Sequence, residues 1–208
     1  MKILLLDGYN LIYRARSGFL KGEYPVIYNF FRSLRPIVEK FSPDKIYFVL
    51  EGKPEHRMTI SESYKSNRKP QSKDFHEQKA TIINIIKTYF PIETVLHTKF
   101  ECDDVIATLS HIHYKMGDSC TIVSSDSDFI QLHNIMEDRF KIYNPIKKKY
   151  IDHPGFDYIS WKALRGDPSD NILGIPGIGD KKALKLISNP DELRRLFQNK
   201  EKLKIFER

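Results

Sequence analysis

Cysteine is nearly absent: Cys102 and Cys120 are the only two in 208 residues. They fall in different predicted elements, so neither a disulfide framework nor a cysteine-based zinc site is supported. No apolar run approaches the roughly eighteen residues of a membrane-spanning helix. The opening Met1-Lys2-Ile3-Leu4-Leu5-Leu6-Asp7 carries no signal-peptide cleavage region, so a soluble, cytoplasmic protein with no membrane partner is expected. There is no internal repeat and no low-complexity stretch. Histidine is scattered. Only His111 and His113 are near neighbours, and their spacing on a helix points them apart, so both are expected at the surface.

Positive charge is in excess, with 34 basic against 27 acidic residues and a net charge of +7. Residues 52–73 hold six basic and two acidic side chains, Lys147, Lys148 and Lys149 form a second cluster, and residues 181–208 hold nine basic against four acidic. A polyanionic partner follows naturally, because each neutralised phosphate releases condensed counterions, although a solvated basic face would look the same. The hydrophobic content of 40 % is enough for one good core with a small appendage.

Short apolar runs alternate with helical stripes. Residues 2–6, 46–50, 94–96 and 121–123 read as strands, and 25–41, 74–90, 104–116 and 154–165 as helices. Residues 140–143 and 149–151 read as a hairpin with the lysine cluster at its turn, and a last helix falls near 190–198. Such alternation predicts a parallel, doubly wound α/β sheet, which binds ligands beyond the carboxyl ends of its strands. That edge is where the acids lie. Asp7 follows the first strand, Glu51 the second, and Asp126 and Asp128 the fourth, while Glu101, Asp103 and Asp104 open the helix after the third. Asp167 and Asp170, three residues apart, are expected on one side of a helical turn.

Any one of these nine acids could be a turn or cap residue. Nine on one rim would repel one another and raise each other's pKa unless cations intervene. Oxygen-only ligands point to two magnesium or manganese ions, whose pairing suits a phosphodiester. An aspartyl-phosphate phosphatase would want a second acid two residues after Asp7, where Tyr9 stands. Gly174-Ile175-Pro176-Gly177-Ile178-Gly179 then leads into a helix expected to be capped by Asp180, a glycine-rich turn suited to holding a phosphate.

Taken together, Leu6-Asp7-Gly8-Tyr9-Asn10, Phe48 to Pro54, Tyr64-Lys65-Ser66-Asn67-Arg68, Glu101 to Ala107, Ser125-Asp126-Ser127-Asp128-Phe129 and Gly166 to Gly179 resemble the 5′ nuclease (flap endonuclease) family of bacterial and phage type. The resemblance implies a PIN-like parallel sheet flanked by helices over residues 1–153, with a helical arch at about 53–90, and a helix–three-turn–helix DNA-binding region over 154–208. It also implies a monomeric nuclease acting in replication and repair on DNA flaps, 5′ overhangs or RNA primers, phage-encoded or cellular, with a replicative polymerase as a partner. One metal would be held by Asp7, Glu51, Glu101 and Asp103, and the second by Asp103, Asp126, Asp128 and Asp170, with Asp104 and Asp167 in support. Lys65 and Arg68 match the basic residues that touch the scissile phosphate, and Tyr64 would stack on a base. Gly174, Gly177, Gly179, Lys181 and Lys182 would grip the duplex backbone around a potassium ion. The family usually has Asp where Glu51 stands, and an aromatic where His56 stands. Two rival readings stay open: a PIN-type ribonuclease, which needs neither the arch nor the helix–three-turn–helix, and a non-catalytic binder of branched DNA.

Overall fold

The computed structural model describes residues 1–18, 22–60, 64–67, 70–136 and 138–206. The chain forms two compact units, Met1–Glu55 with Pro70–Asp152, and His56–Lys69 with His153–Arg208.

In the first unit β1 (Lys2–Asp7) runs into α1 (Gly8–Ala15), and α2 (Pro25–Phe41) leads to β2 (Lys45–Leu50). The short α3 (Glu55–Ile60) straddles the division between units. Next come α4 (Lys73–Tyr89), β3 (Glu93–Leu96), α5 (Cys102–Lys115), β4 (Ser119–Val123), a 3-10 turn over Asp128–Asn134, and the hairpin of β5 (Phe140–Asn144) and β6 (Lys149–Ile151). The strand order is β3-β2-β1-β4-β5-β6, parallel throughout except for β6.

The apolar strands explain themselves. Leu4 and Leu6 of β1 face one layer with Phe30, Phe48, Ile82 and Ile86, whereas Ile3 and Leu5 face the other with Val49, Ile106 and Ile122. Both faces of the strand are therefore covered, and no polar alternation survives. After β3 the chain crosses through α5 to β4, on the far side of β1. The strand order reverses there, and the crevice beyond the carboxyl ends of β1 and β4 is the place a doubly wound sheet offers to a ligand.

His113 corrects the expectation of a surface residue. It is buried, bonded through Nε2 to Tyr47 Oη at 2.9 Å and through Nδ1 to Asp118 Oδ2 at 2.7 Å. The reason is helical phase: Ile106, Ser110 and His113 stand at i, i+4 and i+7 on the face that α5 turns to the sheet. His111, two residues away, is exposed. The 53–90 segment is divided between the units, and α4 buries Phe75, Ile82 and Ile86 in the core of the first.

In the second unit α6 (Tyr158–Arg165) starts later than residue 154, because Gly155 has φ +76° and Asp157 supplies the cap to Ser160 N–H. A two-stranded ribbon, β7 (Gly166–Asp167) and β8 (Ile172–Leu173), encloses a 3-10 turn at Pro168–Asp170, and α7 (Asp180–Ile187), α8 (Pro190–Phe197) and α9 (Lys200–Phe206) complete it. Asp167 therefore caps a 3-10 turn, where a helical turn shared with Asp170 was expected. The N-cap of α7 is Gly179, and Asp180 is its first residue rather than its cap. The core is Leu164, Ile175, Ile178, Ala183 and Leu186. Two glycines let the ribbon close. A Cβ on Gly174 would lie 2.1 Å from the carbonyl carbon of Arg165, and Gly166 sits at φ +78°.

Candidate metal centre

Asp7 ends β1 and caps α1. Its Oδ1 accepts from Asn10 N–H at 3.1 Å and its Oδ2 from Ser124 Oγ at 2.7 Å. Burial drives its carboxyl from the ordinary 3.8 up to about 6, against the hydrogen bonds from Ser124 and Asn10 and with the help of the neighbouring Asp126 charge. Ser124 also accepts Asp126 N–H at 3.0 Å, and Asp126 Oδ1 accepts Asp128 N–H at 2.9 Å. Asn10 Oδ1 takes Ser125 N–H at 3.1 Å and Ser125 Oγ at 2.9 Å. The start of α1 and the loop after β4 are thus laced together across the strand-order reversal.

The amino end of α5 brings the next acids. Glu101 and Asp104 form a capping box, Asp104 Oδ2 accepting Glu101 N–H at 3.2 Å. Glu101, Asp103 and Asp104 each offer one oxygen, and the three lie within 4.8 Å of one another. Glu101 is almost wholly buried, at 1 % exposure. Glu51, just past β2, accepts Cys102 N–H at 3.3 Å. The Cys102 thiol lies 3.6 Å from Asp7 Oδ1 and donates to Val49 O at 3.3 Å. Burial first, then the Asp7 and Glu51 charges, push this thiol far above its ordinary range, so it stays a protonated packing group.

The first unit therefore gathers Asp7, Glu51, Glu101, Asp103, Asp104, Asp126 and Asp128 around the carboxyl ends of β1, β2 and β4. Ser124, Asn10 and Cys102 brace Asp7, Asp126 and Glu51, and sequence reasoning did not single them out. Their one signal is position, directly beside acids at strand ends.

The second unit holds the other expected residues. Asp167 accepts Lys162 Nζ at 2.8 Å and Ser169 N–H at 2.9 Å. Burial acts to raise its pKa, but Lys162 and Ser169 outweigh it and hold the carboxyl below the ordinary value. Asp170 Oδ2 accepts Tyr64 Oη at 3.2 Å and lies 3.8 Å from Lys65 Nζ, while the Asp170 carbonyl accepts Lys65 N–H at 3.1 Å. Lys65 itself is in the left-handed region at φ +55°. Asn67 Nδ2 donates to Pro168 O at 3.1 Å, so the 64–67 turn is seated on the 168–170 turn. Arg68 lies outside the described residues. Gly177 is at φ +78°, Gly179 opens α7, Lys181 is exposed, and Lys182 Nζ donates to Gly177 O at 3.4 Å.

A parallel sheet with acids at its strand-order reversal, followed by a small helical unit pinned by glycines, is the layout of a particular class of nucleic-acid enzymes. The chain belongs to the 5′-3′ exonuclease family: the N-terminal resolvase-like domain of that family matches residues 2–157, and its C-terminal SAM fold matches residues 154–207. Among relatives, the thermostable DNA polymerase I of Thermus thermophilus is 34 % identical over 98 % of this chain and 26 % of its own length. The chain thus spans about a quarter of that polymerase. The 5′-3′ exonuclease of Buchnera aphidicola is 31 % identical over 97 % of this chain and 75 % of its own. In fold the chain is similar to the bacteriophage T5 flap endonuclease in a pseudo-enzyme–product complex with DNA and metal ions, with a TM-score of 0.74 and 22 % identity over 90 % of this chain and 75 % of that one.

Proposed function

We propose that this chain is a structure-specific 5′ nuclease that hydrolyses DNA flaps, 5′ overhangs or RNA primers with the help of two divalent ions, magnesium or manganese. The observation that carries the reading is the oxygen-only cluster at the strand-order reversal. Asp7 is buried there with its carboxyl raised to about 6, and Glu101, Asp103 and Asp104 converge within 4.8 Å. Glu101 is buried within 4.8 Å of the partly buried Asp103 and Asp104, and hard divalent cations are the ligands that carboxylate oxygens select. The residues fit the ions. When bound, the ions supply Lewis acidity and lower the pKa of a coordinated water.

In this reading Asp7, Glu51, Glu101 and Asp103 hold one ion and Asp103, Asp126 and Asp128 the other, with Asp104 in support. Asp170 and Asp167, in the second unit, are assigned to the same set, and substitution tests that part. Lys65 and Arg68 neutralise charge growing on the phosphoryl oxygens, and Tyr64 offers a ring to an unpaired base. Gly174, Gly177, Gly179, Lys181 and Lys182 bind the duplex backbone, and main-chain oxygens such as Gly177 O suit potassium. The working divisions are 1–153 for catalysis, with the arch at 53–90, and 154–208 for duplex binding. The protein acts as a monomer in the cytoplasm and serves a replicative polymerase. The matched polymerase I sequences support that partner, and no helix among the described residues is long and apolar enough to cross a membrane.

The test is product mapping on labelled flap, nicked and RNA-primed duplexes, with and without magnesium. Asp126→Asn and Asp170→Asn should each lower cleavage at least 100-fold while DNA affinity stays within about threefold, since a lost carboxylate removes a ligand and not a backbone contact. Uncleaved flap with magnesium present would defeat the reading in favour of a binder. Preference for single-stranded RNA would turn it into a ribonuclease.

A further inference from the structure

The amino-terminal edge of the first unit's sheet, opposite the acidic rim, carries an open groove of about 360 Å³. Its floor is the beginning of β1, β4 and β5, one wall is the end of α2 at Lys40 and Phe41, and Tyr150 of β6 borders it. Among the described residues that line it, Lys2, Lys40, Arg139 and Lys141 face one carboxylate, that of Asp138. Asp138 lies 4.0 Å from Arg139, and among the described residues no carboxylate pairs with Lys2, Lys40 or Lys141. Instead Lys40 and Lys141 rest on aromatic rings. Lys40 Nζ is 4.9 Å from the Tyr143 ring centre and 5.8 Å from that of Tyr150, and Lys141 Nζ is 5.5 Å from the Tyr150 ring centre. The Tyr150 ring is 41 % exposed and is braced edgewise by Phe41 and Tyr143.

Gathered cations repel one another unless an anion comes between them. The arrangement combines mobile ammonium groups and a guanidinium with a braced, accessible aromatic face. Phosphate is matched by the first and a nucleobase by the second. The volume falls within the roughly 300–1,000 Å³ of small-ligand sites. The geometry points to a nucleotide-binding groove, separate from the carboxylate site, in which a nucleoside 5′-phosphate places its base on Tyr150 and its phosphate among Lys2, Lys40, Arg139 and Lys141. The ligand is either a free mononucleotide or one nucleotide unit of a single strand. The two lysines leave their rings for the phosphate, and the vacated ring face receives the base. This inference does not depend on the nuclease assignment.

The experiment is equilibrium titration of the full chain in EDTA, which keeps divalent ions from the carboxylates. The probes are inorganic phosphate, dAMP and a 5′-phosphorylated oligothymidylate, followed by NMR shifts or calorimetry. Lys40→Glu with Lys141→Glu should weaken dAMP binding at least tenfold. Tyr150→Ala should weaken dAMP but not phosphate, and Tyr150→Phe should restore dAMP binding. Melting curves confirm that each variant folds, and Lys40→Gln with Lys141→Gln replaces the charge reversal if it does not. Groove-dependent binding that is equal for dAMP and the oligonucleotide identifies the mononucleotide, and tighter oligonucleotide binding identifies a strand. Absence of saturable dAMP binding to the wild type, or equal binding by the charge-reversed variant, overturns the proposal.

Discussion

Replacing Asp7 by Asn should make the metal-free protein more stable at neutral pH and leave it unchanged in acid. The Asp7 carboxyl has a folded-state pKa of about 6 against an ordinary 3.8, because burial disfavours its charged form. A raised carboxyl means that the folded chain holds its proton longer than the unfolded one, so stability falls as pH rises. The penalty is absent below 3.8, grows through the interval and is complete above 6. At about 1.36 kcal/mol per pH unit, that displacement corresponds to about 3 kcal/mol. Asn has nearly the same shape. Its oxygen can still accept Asn10 N–H, and its amide can face Ser124 Oγ. The hydrogen bonds from Ser124 and Asn10 to the charged form are already included in a pKa of about 6, so the gain above pH 7 is the whole of that penalty, about 3 kcal/mol. Urea denaturation in EDTA at pH 4 and pH 7.5, followed by circular dichroism, measures both limbs. On the proposed assignment, magnesium at about 1,000 times its dissociation constant adds about 4.1 kcal/mol to the wild type and less to a variant short of one ligand, so it should reverse the ranking. An equal gain at both pH values, or none at pH 7.5, would refute the reasoning.

Gly174→Ala should destabilise the second unit by about 3 kcal/mol, since the added methyl meets main chain at Arg165 and Gly166 where no side chain can yield, and a thermal melt reads it directly. His113→Ala should cost about 2–3 kcal/mol in urea, because the buried Tyr47 hydroxyl loses its partner; a double-mutant cycle with Tyr47→Phe should show coupling, and strict additivity would contradict it. Lys162→Met should raise the Asp167 pKa. The lowered Asp167 carboxyl contributes stability that is present above 3.8 and is lost as pH falls through its folded value, so the variant's acid-unfolding curve should be flatter on that limb, and a curve parallel to wild type would count against the pair.

The strands were legible because both faces of β1, β2 and β4 are covered, so the chain spells them as unbroken apolar runs. The rim was legible for a related reason. A parallel sheet delivers whatever follows each strand to one edge, and here β1 ends in Asp7 while Glu51 and Asp126 come just past β2 and β4. What escaped depends on partners distant in sequence. His113 reads as polar, yet helical phase carries it under the sheet to Tyr47 and Asp118. The β7–β8 ribbon exists because Gly166 and Gly174 let two main chains touch, and no local periodicity announces a contact of that kind. Ser124 and Asn10 are ordinary turn residues in sequence and become supports only when β4 is laid beside β1.

The acids are held by two different kinds of donor, and this separates their chemistry. Asp7 is bound by a hydroxyl and an amide N–H, both uncharged, and burial raises its pKa against them. Asp167 is bound by the Lys162 ammonium, and its pKa is lowered. Neutral donors fix a carboxylate without cancelling its charge, whereas a lysine fixes it and cancels the charge together. A cation arriving at Asp7 therefore relieves a standing electrostatic penalty, but one arriving at Asp167 must compete with an ammonium already 2.8 Å away. Metal affinity should accordingly be set by Asp7 and its hydroxyl support, so that Ser124→Ala weakens magnesium binding more than Ser169→Ala does. The Lys162–Asp167 pair, by the same reasoning, serves chiefly to fix the 3-10 turn that presents Asp170.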